Sequence, residues 1–283
     1  MAIRNFIPTV WSEHLLSALN QEYVGVANCN REYEGEIQGK GSSVKICGLN
    51  PITIGEYVKN TDIGDPQELN DYASELIIDQ AKFFNFQIDD VDRVQASPKL
   101  MELALKSAAQ AIAKDTDQFI YQLHKSGSVN TETFTDVPID QLFKTILFAK
   151  EKLVEAGVTN DADLVLEVSP YMATMLLRSK MDTVMPNSEV FENGCIGSIA
   201  GIKVFVSNNI EAGSDGQYYT SHCYLRSKRA VAFAEQFSEI VAYRPEKRFA
   251  EAVKGLHLYG AKIVYPQEFY CLQFQYDDTG ARM

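Results

Sequence analysis

Apolar and polar positions alternate most clearly between Ile77 and Gln95, where Phe84, Phe86 and Ile88 take turns with Asn85, Gln87 and Asp89. A two-residue period is that of a strand with one face buried. From Pro98 onward the period changes. Leu100, Leu103/Ala104, Ala108, Ala111/Ile112, Phe119 and Leu123 recur at helical spacing, so the strand is expected to lead into a helix of more than twenty residues, long enough to act as a spar.

Upstream, residues 8–20 (PTVWSEHLLSALN) read as a short amphipathic helix with Trp11, Leu15, Leu16 and Leu19 on or near one face, preceded by an arm. From Tyr33 to Lys59, Gly35, Gly39, Gly41, Gly48 and Gly55 punctuate short Val/Ile runs, which predicts a long two-stranded excursion. So little apolar content cannot bury the faces of a hairpin, which is expected to find its burial elsewhere, as on another subunit.

Downstream, Leu142, Phe143, Ile146, Leu147, Leu153 and Val154 form the stripe of a second helix, which Gly157 is placed to stop. Residues 163–168 (DLVLEV) read as a short buried strand, and Ser169-Pro170 as the N-cap and first turn of the next helix. After a loop at 181–195, residues 195–207 predict a strand pair or bent strand ending at the turn Asn208-Asn209. The last third, including 230–233, 249–265 and 269–274, reads as mostly strand. No internal repeat is visible, so a solenoid is not expected.

At 283 residues and 46% hydrophobic content the chain is long and apolar enough to bury one or two domain cores. The N-terminus lacks the pattern of a signal peptide and no apolar run approaches a membrane span, so a soluble protein kept in a cytoplasm is expected. The five cysteines are isolated and odd in number, which argues against a disulfide framework and for small core hydrophobes. A net charge of −12 argues against a protein whose task is to grip nucleic acid, though not against one that encloses it.

The search for chemistry yields no catalytic, cofactor-binding or metal-binding residue. Gly39-Lys40-Gly41-Ser42 departs from a phosphate loop, having Glu34 where the first Gly belongs and Gly41 where Ser or Thr belongs, and reads as a hairpin tip. GSIAG at 197–201 has Ile at its centre and is no nucleophile elbow. His14, His124, His222 and His257 are scattered without zinc-like ligand pairs. Asp89, Asp90 and Asp92 lack the Gly turn and bidentate Glu of a calcium loop, and suit a solvated bend before the N-terminus of the long helix. Asp115 and Asp117 fall on that helix, and Asp115 is read either as half of an ion pair across a subunit contact or as an exposed solubilising carboxylate.

In order and spacing, PTVWSEHLL, YEGEIQGKGSSVKI, IDQAKFFNFQIDDVDRVQ, the Ala-rich helix, GSIAGIKVFVSNNI and EKRFAEAVKGLHLYGAKIVYPQEF together resemble tailed-bacteriophage major capsid proteins of the Hong Kong 97 type, over about residues 6 to 272. The resemblance implies an α+β fold with an N-terminal arm (1–32), an extended β-hairpin loop (33–75), a peripheral domain on the spine helix (76–130, rejoined by a strand near 237–262) and an axial α/β domain (131–236 and 263–283). It further implies a structural protein without an active site, found in the virion and assembled in the host bacterial cytoplasm. Such a chain builds pentamers and hexamers of an icosahedral shell around double-stranded DNA, without sequence-specific binding or membrane contact. The expected partners are further copies of itself, a separate scaffolding protein (or a segment already removed), a portal and decoration proteins. Some relatives cross-link a loop lysine to a neighbour's asparagine; Lys40 and Lys45 lie in the corresponding loop, but no partner asparagine or catalytic acid matches. The alternatives are an encapsulin-type nanocompartment shell and, further off, a soluble α/β enzyme. Closed shells need heterologous contacts between identical chains, which a projecting arm and loop supply.

Overall fold

A computed structural model describes residues 8–33, 43–49, 54, 56, 59, 71–89, 99–126, 129–158, 163–179 and 195–277. The chain begins with α1 (Pro8–Glu22) and, after a short helical turn at Val26–Asn28, forms β1 (Ser43–Leu49), β2 (Asp71–Ile77) and β3 (Gln80–Asp89). The long helix α2 (Lys99–Gln122) follows, then β4 (Asn130–Thr135), α3 (Leu142–Glu155), β5 (Leu164–Val168) and α4 (Pro170–Arg178). The remainder is strand: β6 (Cys195–Ile199), β7 (Ile202–Val206), β8 (Ala212–Ser214), β9 (Tyr218–Ser227), β10 (Val231–Tyr243), β11 (Ala250–Ile263) and β12 (Phe269–Asp277).

Three sheets organise these elements, the smallest being the two-stranded pair β1-β2. A seven-stranded mixed sheet has the order β4-β12-β9-β5-β7-β6, with β8 beside β9. Its central strand β5 is buried along its whole length, which is why LVLEV is continuously apolar but for one residue. Leu164, Leu166 and Val168 meet Leu142, Ile146, Ala149 and Leu153 of α3 and Met172 and Leu176 of α4 in one core. The predicted stop of α3 is a Schellman motif: Gly157 takes φ 98°, its N–H meets the carbonyl of Val154, and the N–H of Val158 meets that of Leu153.

The predicted cap of α4 also forms. Ser169 Oγ accepts from the Met172 N–H at 3.3 Å and lies 2.6 Å from Ser221 Oγ on β9, both serines buried. Ser169→Ala therefore removes a cap and leaves Ser221 without its partner. A loss of about 1–2 kcal/mol in chemical denaturation is expected.

The second sheet has the order β10-β11-β3 and is antiparallel throughout. Phe84 and Phe86 of β3 pack beneath α2 as the alternation predicts. With 24 residues, α2 spans about 36 Å. Its deepest stripe differs from the expected one. Leu105, Ala109, Ala113, Ile120 and Tyr121 are buried, Ala108, Ile112, Phe119 and Leu123 flank them, and Leu103 is 62% exposed. The reason is α1, whose Leu15, Leu19 and Tyr23 pack into the same core. Alanines at the centre of the contact let the two helix axes approach closely.

The loop differs from expectation in two ways. Both limbs were expected between Tyr33 and Lys59, yet β1 pairs with β2, in register from Ser43↔Ile77 to Leu49↔Asp71. A return strand is selected by a matching apolar face, here Leu76 opposite Val44, and glycine punctuation does not reveal that match. The base of the loop also finds burial in its own subunit. Val44, Ile46, Leu76 and Ile78 form a small core with Ala232 and Ala234 of β10 and Leu258 of β11.

Candidate assembly surfaces and the buried strap

Between α1 and the Asn30 bridge to β10 runs a strap, residues 23–31, held by charged side chains from four elements. From α2, Asp117 Oδ2 accepts from the Val24 N–H and Oδ1 from the Val26 N–H, both at 3.1 Å, while Asn209 Nδ2 donates to Oδ2 at 3.4 Å. From β9, Arg226 donates through Nη2 to the Gly25 carbonyl at 3.0 Å and through Nη1 to the Asn28 carbonyl at 2.8 Å. From β5, Glu167 receives Arg226 Nε at 2.9 Å, Arg226 Nη2 at 3.0 Å and Asn28 Nδ2 at 3.1 Å. From β10, Glu235 takes Tyr23 Oη at 2.6 Å, Arg31 Nη2 at 2.7 Å and His257 Nε2 at 2.9 Å.

Burial sets the electrostatics of this joint. Burial lifts the Asp117 carboxyl to about 6, against the pull of the Val24, Val26 and Gly25 N–H groups, which favour its charge. Burial likewise pushes the Cys29 thiol up to about 11, so it is no nucleophile. Although burial opposes its charge, Glu167 holds the Arg226 guanidinium firmly protonated. Asp117, Glu167 and Arg226 are each at most 1% exposed; Asp117 meets backbone N–H groups and the Asn209 amide, while Glu167 and Arg226 meet each other. The cluster is built to hold, not to react.

The residues weighed for chemistry behave differently. Asp115 pairs within its own chain, with Lys82 Nζ at 3.3 Å and Tyr259 Oη at 2.6 Å, because β3 and β11 lie beside α2. His124 and His222 are brought together, with ring centres 5.0 Å apart, so the scattered histidines do form one pair. His124 Nδ1 meets the Tyr121 carbonyl and His222 Nδ1 the Glu211 carbonyl. Among the described residues no group of three His, Cys, Asp or Glu is arranged to hold a metal ion. GSIAG forms β6 and its turn into β7, Lys45 is exposed on β1, and Cys29, Cys195, Cys223 and Cys271 are buried free thiols. Residues 34–42, with Lys40, and Asp90 and Asp92 lie outside the described residues.

What faces outward is a sheet surface. β3 and β11 present Phe83, 81% exposed, and Leu256 at the surface, where they line a shallow groove of about 320 Å³ with Phe84, Asn85, Val241, Lys254 and Gly255. At the turn between β10 and β11, Phe249 is 85% exposed beside exposed Lys247 and Arg248. Exposed aromatic rings rimmed by polar residues are the ordinary signature of a contact surface.

Sequence reasoning missed the strap and its charges. One signal was present: a Glu in an otherwise apolar buried strand demands a buried partner, which Glu167 finds in Arg226. Nothing local pointed to Asp117.

No family model matches the sequence, and no curated protein is similar to it in sequence. Solved structures are similar. A chain of Mycobacterium phage Che8 matches with a TM-score of 0.68 and 29% identity, over 96% of this chain and 98% of that one. The capsid of Ralstonia phage GP4 matches with a TM-score of 0.68 and 11% identity, over 90% of each chain. A virus-like particle from Pyrococcus furiosus matches with a TM-score of 0.58 and 12% identity, over 92% and 96%. The long helix beside a three-stranded sheet, the two-stranded β1–β2 pair and a separately cored mixed sheet have the Hong Kong 97-type fold of viral shell proteins. The chain therefore shares the fold of these phage shell chains.

Proposed function

We propose that the chain forms pentamers and hexamers of an icosahedral phage head that encloses double-stranded DNA. In this arrangement residues 1–32 are an arm, 33–75 a loop reaching toward a neighbour, and 76–130 with about 237–262 a peripheral domain. Residues 131–236 and 263–283 form the axial domain at the capsomer centre. The observation that carries the proposal is the likeness to the Che8 chain over nearly the full length of both. Further support comes from the exposed Phe83, Leu256 and Phe249, which a shell contact would cover, and from the net charge of −12, which suits a wall that must not hold its DNA. A separate scaffolding protein, a portal and decoration proteins complete the set of partners, with assembly in the cytoplasm of the host bacterium.

Electron microscopy of the expressed protein tests this directly. Closed shells or tubes of megadalton mass on size exclusion are expected, and a stable monomer or dimer in every condition would overturn the proposal. Shells purified with cargo enzymes bound by short peptides would instead indicate a nanocompartment like the encapsulins.

A further inference from the structure

We propose that His124 and His222 form a two-imidazole site for a borderline transition-metal dication such as Zn²⁺, Ni²⁺ or Cu²⁺, and that the ion pins the end of α2 to the mixed sheet. The two rings come from different parts of the fold. His124 lies on the short helical turn Leu123–Ser126 that closes α2, and His222 lies on β9. They meet with ring centres 5.0 Å apart, both half-buried and within reach of solvent.

The backbone decides which nitrogen of each ring carries the proton. His124 Nδ1 lies 2.6 Å from the Tyr121 carbonyl oxygen, and His222 Nδ1 lies 3.0 Å from that of Glu211. A carbonyl oxygen only accepts, so each Nδ1 carries the hydrogen and each Nε2 of the neutral ring keeps its lone pair. Among the described residues neither Nε2 has a hydrogen-bond partner. One ring nitrogen donating to a backbone carbonyl while the other is bare is the arrangement of a metal-ligating imidazole, because the first bond fixes both tautomer and ring direction. Tyr224, two residues after His222 and so on the same face of β9, adds to the fixing. Its hydroxyl donates to the same Tyr121 carbonyl at 3.1 Å, and its ring lies 7° from parallel with that of His222.

The spacing fits one ion shared by both rings. An imidazole nitrogen binds zinc at about 2.0–2.1 Å, which sets the ion roughly 3.2 Å from the ring centre. Two rings on one ion at about 90–110° then have centres about 4.5–5.2 Å apart, a range that contains the observed 5.0 Å. The charges beside the pair do not oppose an incoming cation, since Lys125 and Glu211 neutralise each other at 2.6 Å. That bond also commits the Glu211 carboxylate, so water fills the remaining coordination positions. Imidazole nitrogen favours Zn²⁺, Ni²⁺ and Cu²⁺ over Mg²⁺ and Ca²⁺, which take oxygen ligands. Because one ligand closes the long helix and the other belongs to the mixed sheet, a bound ion cross-links the two and stabilises the folded subunit. The site lies within one subunit and does not depend on the shell it builds.

Zn²⁺ titrated into the full chain at pH 7.5, in competition with a chromogenic chelator, tests the site. One ion per subunit is expected. His124→Asn and His222→Asn each leave an amide N–H where Nδ1–H stood, which preserves the bond to the carbonyl while removing Nε2. Each is expected to weaken binding about tenfold or more. The melting temperature should rise with Zn²⁺ in the wild type and stay unchanged in either variant. Wild-type binding no tighter than that of the double variant, or a loss in only one of the two single variants, would overturn the proposal. Cu²⁺ bound to the wild-type chain provides a check that needs no variant to fold. Its electron paramagnetic resonance spectrum should show hyperfine splitting from two imidazole nitrogens, and a spectrum of oxygen ligands or of a single nitrogen would also overturn it.

Discussion

Arg226→Met is expected to destabilise the chain by about 3–5 kcal/mol, the largest effect of any single polar substitution, because it strands a buried carboxylate. Glu167 sits on the central strand of the large sheet with 0% exposure, and Arg226 supplies two of its three hydrogen bonds. The same guanidinium holds the carbonyls of Gly25 and Asn28, so the loss extends to the strap. Urea denaturation of the soluble subunit would measure it. The double variant Arg226→Met with Glu167→Leu should recover a large part of the loss, since a buried ion pair replaced by apolar groups of similar size is often near neutral. A double variant as unstable as Arg226→Met alone would show that the strap carbonyls, not the stranded carboxylate, dominate.

Gly260→Val is expected to abolish correct assembly even where the subunit still folds. A Cβ at Gly260 would stand 2.3 Å from the carbonyl oxygen of Ile77, a backbone atom that cannot move aside without displacing the end of β2. Glycine here permits the close crossing of β11 by the corner between the loop and β3. Forcing that corner outward would open the small core of Val44, Ile46, Leu76 and Ile78 and re-aim the β1–β2 pair. A stability loss of about 1–3 kcal/mol accompanies it. Electron microscopy should show aggregates or irregular sheets in place of closed particles. Regular wild-type particles from Gly260→Val would mean that the direction of the loop at its base does not matter.

Much of the architecture was legible because it is written in local periods. The strand at Phe84–Ile88, the helix after Pro98, the Ser169 cap, the Gly157 stop and the turn at Asn208-Asn209 after β7 each follow from side-chain spacing or a single backbone requirement. The return strand of the loop was not legible. Its partner lies across residues 50–70, and pairing over such a gap depends on a face match that local glycines do not encode. The rotation of the buried stripe on α2 was hidden for a similar reason, since it is set by α1, which packs from more than eighty residues away in sequence.

By itself, then, the sequence determined the elements written in local periods and, through the order of its motifs, a resemblance to a class of shell protein. The elements follow from periodicity and capping, which act within a few residues, and the class from the resemblance that those motifs carry. Only the tertiary structure decided which charges are buried together. Asp117, Glu167 and Arg226 are separated by 50 and 59 residues along the chain, and of the three only Glu167, inside an apolar strand, is marked in the sequence as a buried charge. Folding removes all three from water around one strap, and it is that shared desolvation that turns ordinary side chains into the joint that holds the N-terminal helix.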